Sequence, residues 1–126
     1  DNLINNKIFK LNNITNKRCF CYITDFLNAF LLILFNSKKK FEIYNLANIY
    51  QEYSIKGLIS ELKKEFNELT IKTKILKNNK VNKFNIRRQK PDISNLQKLG
   101  WKPKISFRQG FRKTYTYHIN QINNAK

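Results

Sequence analysis

The first regular pattern in the chain is "KIFKL", residues 7–11, where apolar and polar positions alternate with the period of two of a β-strand. "RCFCYI" predicts a second strand, rich in aromatics, with Cys19 and Cys21 two apart and so on one face. "FLNAFLLILF", residues 26–35, is an apolar run of about three turns that Thr24 or Asp25 can cap as a helix. A membrane span needs roughly 20 such residues, so the run predicts a helix buried between layers instead. In "FEIYNL", residues 41–46, Phe41 and Ile43 alternate with Glu42 and Tyr44, which predicts a strand.

Ser54 is placed to cap the next helix, where Ile55, Leu58, Ile59, Leu62, Phe66 and Leu69 follow helical spacing. Lys56, Glu61, Lys64 and Glu68 occupy its polar face. "TIKTKIL", residues 70–76, alternates as a strand, and a polar connection runs from Lys77 to about Lys90. From Arg87 onward local signals crowd together. Asp92 or Ser94 caps a short helix with Ile93, Leu96 and Leu99 in one stripe, and Ser94 with Gln97 has capping-box spacing. Gly100 supplies a left-handed stop. Pro103, within "WKPKI", bars immediate helix re-entry. Ser106 and Gln109 form a second capping box, opening a helix with Phe107, Phe111, Tyr115 and His118 on one side. The order strand, helix, strand, helix, strand, two helices predicts an α/β fold. It is an incomplete one: residues 1–126 read as a single segment.

Charge changes the picture more than length does. Twenty-five Lys and Arg stand against 8 Asp and Glu, a formal net charge of +17 over 126 residues. A surface of this kind attracts polyanions whatever its fold. The charge is mostly Lys and mostly dispersed, however, with one run of three at Lys38, Lys39 and Lys40, as on a solvated surface. The sequence contains no Met and opens at Asp1 with no charged-then-apolar leader, so it reads as a portion of something longer. Cys19 and Cys21 are poorly spaced for a mutual disulfide and lack partners for a metal site, which predicts reduced thiols in a cytoplasmic protein.

Catalytic patterns are missing. The three glycines, Gly57, Gly100 and Gly110, make no phosphate-cradling loop, and no Tyr is followed four residues later by Lys. His118 is the sole His and sits on an aromatic helix face, where packing is the simpler role. Arg is better placed. Arg18 enters the "CFCYITD" strand shortly before a helix start, and Arg87 and Arg88 lead into "PDISNLQKLG". Guanidinium groups suit bidentate phosphate recognition, and helix starts add free N–H groups to an anion site.

Arg-x-Phe-x-Tyr-Ile-x-Asp from Arg18, Tyr-Asn-Leu from Tyr44, Pro-Asp-Ile-Ser from Pro91, Leu-Gly-Trp-x-Pro from Leu99 and the Ser106 to Phe111 helix start occur in a fixed order. Together they resemble the C-terminal part of NAD-dependent nucleotide-sugar epimerases, dehydratases and decarboxylases, the extended short-chain dehydrogenase/reductase family. The resemblance runs from about Lys7 to Ile119. It implies the C-terminal substrate-binding portion of a Rossmann-type protein, with the N-terminal dinucleotide-binding half, its Gly-rich loop and its Tyr-x-x-x-Lys lying before Asp1. It also implies that Arg18 contacts the diphosphate of a nucleotide sugar and that Asp92 holds the nucleotide ribose. The family's second phosphate-binding Arg, three residues before that Asp, falls on Gln89, which leaves Arg88 or Arg87 to take its place. Tyr22 and Asp25 match as structural supports. NAD is the implied cofactor of the parent enzyme, the nucleotide-diphosphate sugar and the N-terminal half are the implied partners, and a homodimer is common in the family.

Two other readings compete with this one. A small basic RNA- or polyanion-binding module would set Arg18 and Arg88 in a Lys face with exposed rings for base stacking. A non-functional remnant would stay unfolded on its own.

Overall fold

The computed structural model describes residues 7–38, 41–66, 70–76 and 86–124, and within them short strands alternate with helices. Strand β1 (Phe9–Leu11) is followed by β2 (Lys17–Cys19) and helix α1 (Ile23–Asn36). Then come β3 (Glu52–Ser54), α2 (Ile55–Glu65), β4 (Thr73–Ile75), β5 (Arg88–Gln89), the single-turn α3 (Ser94–Lys98) and α4 (Phe107–Asn124). β1 and β4 form a parallel pair with Phe9 opposite Thr73. β2 is the centre of a second sheet, antiparallel to β3 and parallel to β5.

Two apolar clusters hold these pieces. Leu62, Phe66 and Ile71 are buried against Phe9, Ile59 and the Phe107, Phe111 and Tyr115 face of α4. The Phe66 ring lies 5.5 Å from Phe111 and 4.8 Å from Tyr115, within the range of favourable aromatic pairing. Outside this contact, Arg108 reaches Glu61 and Arg112 reaches Glu65, both at 2.7 Å, which sets the register of α4 on α2. The second cluster gathers Ala29, Ile93, Leu96 and Trp101, with Leu32, Ile33, Tyr44 and Leu46 packed around them.

Local chemistry accounts for the element ends. The Ser54 hydroxyl accepts the Gly57 N–H at 3.0 Å and starts α2. Ser106 and Gln109 cap reciprocally, with Gln109 N donating to Ser106 Oγ and Ser106 N to Gln109 Oε1. Gly100 adopts φ of 89°, and the Gly100 and Trp101 amides return to Gln97 and Leu96, closing α3.

Several expectations need correction. α1 starts at Ile23 after Tyr22, with no side-chain cap from Thr24 or Asp25. Asp25 is instead buried and turned across the molecule: its Oδ2 accepts the Lys104 and Ile105 amides at 3.0 and 2.9 Å, and its carbonyl accepts Trp101 Nε1 at 3.0 Å. Residues 41–46 belong to no strand among the described residues, although their in-out alternation survives. β3 and β5 arise where no strand pattern is visible, β5 within the connection read as polar. At α3 the N-cap position falls on Ile93 with no side-chain cap, so neither Asp92 nor Ser94 caps the helix; Asp92 instead accepts Ser94 N at 2.9 Å from just outside it. His118 is exposed and lies edge-on to Tyr117, away from the packed face of α4. Leu69 and most of residues 77–90 lie outside the described residues.

Candidate functional site

The three-stranded sheet brings together residues that the sequence keeps about 70 positions apart. Lys17 lies opposite Arg88, and Arg18 opposite Gln89, so the start of β2 and the 87–90 segment become neighbouring strands. The Arg87 carbonyl accepts the Lys17 amide at 2.8 Å, which fixes that contact through backbone alone.

Strand alternation then divides the cations. Cys19 pairs with Glu52, and Lys17 with both Ser54 and Arg88, so these groups share one face. Glu52 reaches across the middle strand and takes Arg88 in a fork, at 2.6 Å from Nε and 2.9 Å from Nη2. The Arg88 guanidinium holds the Glu52 carboxyl below its ordinary range, with help from Lys17 and Lys90. Arg18 projects to the opposite face with Tyr53 and Gln89. That side is closed by the start of α4, where Phe107 packs on Phe20 and Tyr53. Arg18 is half-buried, its Nη1 donates to the Lys17 carbonyl at 2.7 Å, and it meets no carboxylate among the described residues. Arg87 is exposed and likewise carries no carboxylate.

Asp92 follows Pro91 at the entrance to α3. Both of its oxygens face Ser94, one accepting the backbone amide and the other the hydroxyl at 3.2 Å. The Ser94 amide is the main reason its carboxyl stays below the ordinary range. The structure thus sets Arg18 and Arg88 on adjacent strands but opposite faces, with Arg87 at the bend before β5 and Asp92 beyond its end. Arg18 and Arg87 meet no carboxylate among the described residues, whereas Arg88 already holds an anion from its own chain. Sequence reading misses the Glu52 fork because nothing local marks it; the only hint is an acid two residues before the Ser54 cap.

The two thiols are free and half-buried. Burial, and secondarily the Asp25 charge, pushes Cys21 up to about 11, and burial raises Cys19 as well. Neither is an activated nucleophile. Among the described residues there is no cluster of His, Cys, Asp and Glu that could hold a metal, and no helix long and apolar enough to cross a membrane.

A mixed α/β unit with these parallel strand pairs has the fold of the nucleotide-sugar epimerase and dehydratase class. The chain belongs to the GDP-mannose 4,6-dehydratase family, whose model it matches over residues 2–114. It is 31% identical over 114 residues to human dTDP-D-glucose 4,6-dehydratase, covering 86% of this chain and 31% of that protein. Among solved structures, UDP-glucuronic acid 4-epimerase from Bacillus cereus, in complex with UDP-glucuronic acid and NAD, superposes with a TM-score of 0.78 at 25% identity. That match covers 96% of this chain and 38% of the epimerase. The dTDP-glucose 4,6-dehydratase of Bacillus anthracis, in complex with NAD, shares the fold with a TM-score of 0.77 at 18% identity, over 94% of this chain and 37% of the other. The chain therefore spans about a third of the length of these relatives.

Proposed function

We propose that this chain is the substrate-side, C-terminal portion of an NAD-dependent nucleotide-diphosphate-sugar epimerase, dehydratase or decarboxylase. Its task is to clamp the diphosphate and ribose of the nucleotide sugar, and an NAD-binding half of the same family supplies the redox chemistry. The observation that carries this reading is the sheet register that joins Arg18 to the 87–90 segment. NAD is the hydride acceptor and donor in this class; the residues described here bind and orient. Arg18, free of carboxylate and half-buried, offers two parallel N–H donors to a diphosphate oxygen pair. Arg87 is the second guanidinium without a carboxylate among the described residues, and Arg88 joins it only by releasing Glu52. Asp92 stays ionised at neutral pH and can accept a ribose hydroxyl while retaining its Ser94 contact. Holding a substrate by its remote phosphates in this way converts binding into alignment of the reacting sugar ring.

Titration of the chain with UDP, dTDP or GDP against the matching monophosphates tests the reading. The diphosphates bind more tightly, and Arg18→Ala erases most of that preference, a loss of about tenfold for a charge-assisted contact. Equal affinity for mono- and diphosphates in the parent chain, or a preference untouched by Arg18→Ala, overturns it. The polyanion-module reading has less support. Of the exposed rings, Phe26, Phe30, Phe35 and Phe41 lie on α1 and the segment after it and Tyr117 on α4, with Tyr50 two residues before β3. Base stacking needs rings and cations on one surface.

A further inference from the structure

The β1–β4 pair turns one face toward α2, and only part of that face is filled. Phe9 packs there with Leu62, Phe66 and Ile71 in the first core cluster. Strand alternation brings Leu11 to the same face, opposite Ile75. The core ends at that point: Leu11 is half-buried and Ile75 is 60% exposed. The reason lies on α2. Lys56, Ser60 and Lys63 stand at i, i+4 and i+7, a stripe along one flank of the helix that faces Leu11 and Ile75. Ser60 is the short side chain in the middle of that stripe, and the space beneath it stays open. The result is a cleft of about 390 Å³ between helix and strands.

Its chemistry is divided. Leu11, Ile14, Ile59 and Ile75 form a branched aliphatic floor, and no ring lines the cleft for a base or sugar to stack on. Lys56 and Lys63 stand at the rim, with the Ser60 and Thr73 hydroxyls between floor and solvent. The described acids of α2 are committed elsewhere: Glu61 holds Arg108 and Lys64, and Glu65 holds Arg112. Neither Lys56 nor Lys63 meets a carboxylate among the described residues. Apolar walls with a few polar groups at one edge are the make-up of a small-molecule site, and two free cations set the sign of the ligand.

We propose that this cleft binds an aliphatic carboxylate of medium chain length. Its hydrocarbon lies on the Leu11–Ile75 floor and its carboxylate meets Lys56 or Lys63. None of the lining residues belongs to the sheet that carries Arg18 and Arg88, so the site is separate from the diphosphate surface and does not rest on that reading.

Calorimetric titration of the chain with straight-chain carboxylates from butanoate to decanoate tests the proposal. Affinity rises by up to about fourfold for each added methylene until the floor is covered. Amide shifts on binding fall at residues 56–63 and 73–75. Octanol binds more weakly than octanoate, and Lys56→Gln and Lys63→Gln each lower octanoate affinity by up to about fivefold while leaving octanol unchanged. Ser60→Phe fills the cleft and abolishes binding; Lys74→Gln, on the other face of β4, does not. Should Ser60→Phe disturb the fold, Ile75→Glu at the exposed edge of the floor gives the same loss. Affinity that ignores chain length, or octanol equal to octanoate, overturns the proposal. So does binding that survives both Ser60→Phe and Ile75→Glu and shifts the α1 amides instead, which assigns the ligand to the exposed apolar side of that helix. Displacement of octanoate by UDP would move the ligand to the diphosphate surface and overturn it as well.

Discussion

Asp25 shows how one side chain can decide the path of a distant segment. Its carboxylate is buried and takes two backbone amides from Lys104 and Ile105, while its carbonyl takes the Trp101 indole N–H. Asp25→Ala leaves two amides without an acceptor, and the loss of such charge-assisted bonds is about 3 kcal/mol or more, measured by urea unfolding. Asp25→Asn, which keeps one acceptor oxygen, loses less. At Gly110 the constraint is space. A Cβ there would stand 2.7 Å from Tyr22 Cδ2 and 3.1 Å from Cγ, so Gly110→Ala forces the ring or α4 aside at about 1–3 kcal/mol. In a Tyr22→Ala background the same substitution is close to neutral, which separates the clash from any change in helix propensity. Cys21 adds a pH signature. Its folded-state thiol is raised to about 11 by burial and then by Asp25, from an ordinary thiol value of 9.0. A raised acid favours the folded state below the unfolded value, so this contribution is intact below pH 9 and disappears as pH climbs from 9 to 11. Cys21→Ala removes that part of the slope, and alkylation of Cys21 at pH 8 is slow.

At the level of elements, the sequence is informative wherever a signal is local. The Ser54 cap, the Ser106–Gln109 box and the Gly100 stop are each written within a few residues, and each appears as read. What the sequence hides are the elements made by partners. β5 is two residues long and exists because Lys17 donates to the Arg87 carbonyl and because Glu52 ties Arg88 across the middle strand. Residues 41–46 are the converse, a strand pattern that belongs to no sheet among the described residues. The candidate site shares this property: Arg18, Arg87, Arg88 and Asp92 are visible as residue types, but which guanidinium is committed depends on Glu52, 36 positions from Arg88. The fork therefore predicts a linked change. Glu52→Gln loosens β5, seen as faster hydrogen exchange at the Lys17 amide, and it frees Arg88. The acid limb has the same origin. Arg88 depresses the Glu52 carboxyl, so the contribution holds above its unfolded value near 4.5 and fades as pH falls through the lower folded one. If Lys17 exchange in Glu52→Gln matches the parent from pH 7 down to 4, the strap does not hold the strand.

Over the whole molecule, a net charge of +17 acts on stability in two opposing ways. Cations without carboxylates repel one another and favour the expanded chain. The Arg88–Glu52, Arg108–Glu61 and Arg112–Glu65 pairs oppose that, but the three Arg side chains are 60%, 49% and 60% exposed, and exposed pairs contribute little. With 25 cations and 8 acids, repulsion outweighs pairing, and salt screens the larger effect more. Raising NaCl from about 20 mM to 300 mM shortens the Debye length from about 20 Å to below 8 Å, which removes most repulsion between distant surface charges but leaves contacts near 3 Å largely intact. The midpoint of thermal unfolding therefore rises with salt in this range. Glu61→Gln, which strips Arg108 and Lys64 of their shared acid, lowers the midpoint at low salt and steepens its rise. A midpoint that falls as salt is added would mean that the ion pairs between α2 and α4 carry more of the fold than the surplus of charge takes away.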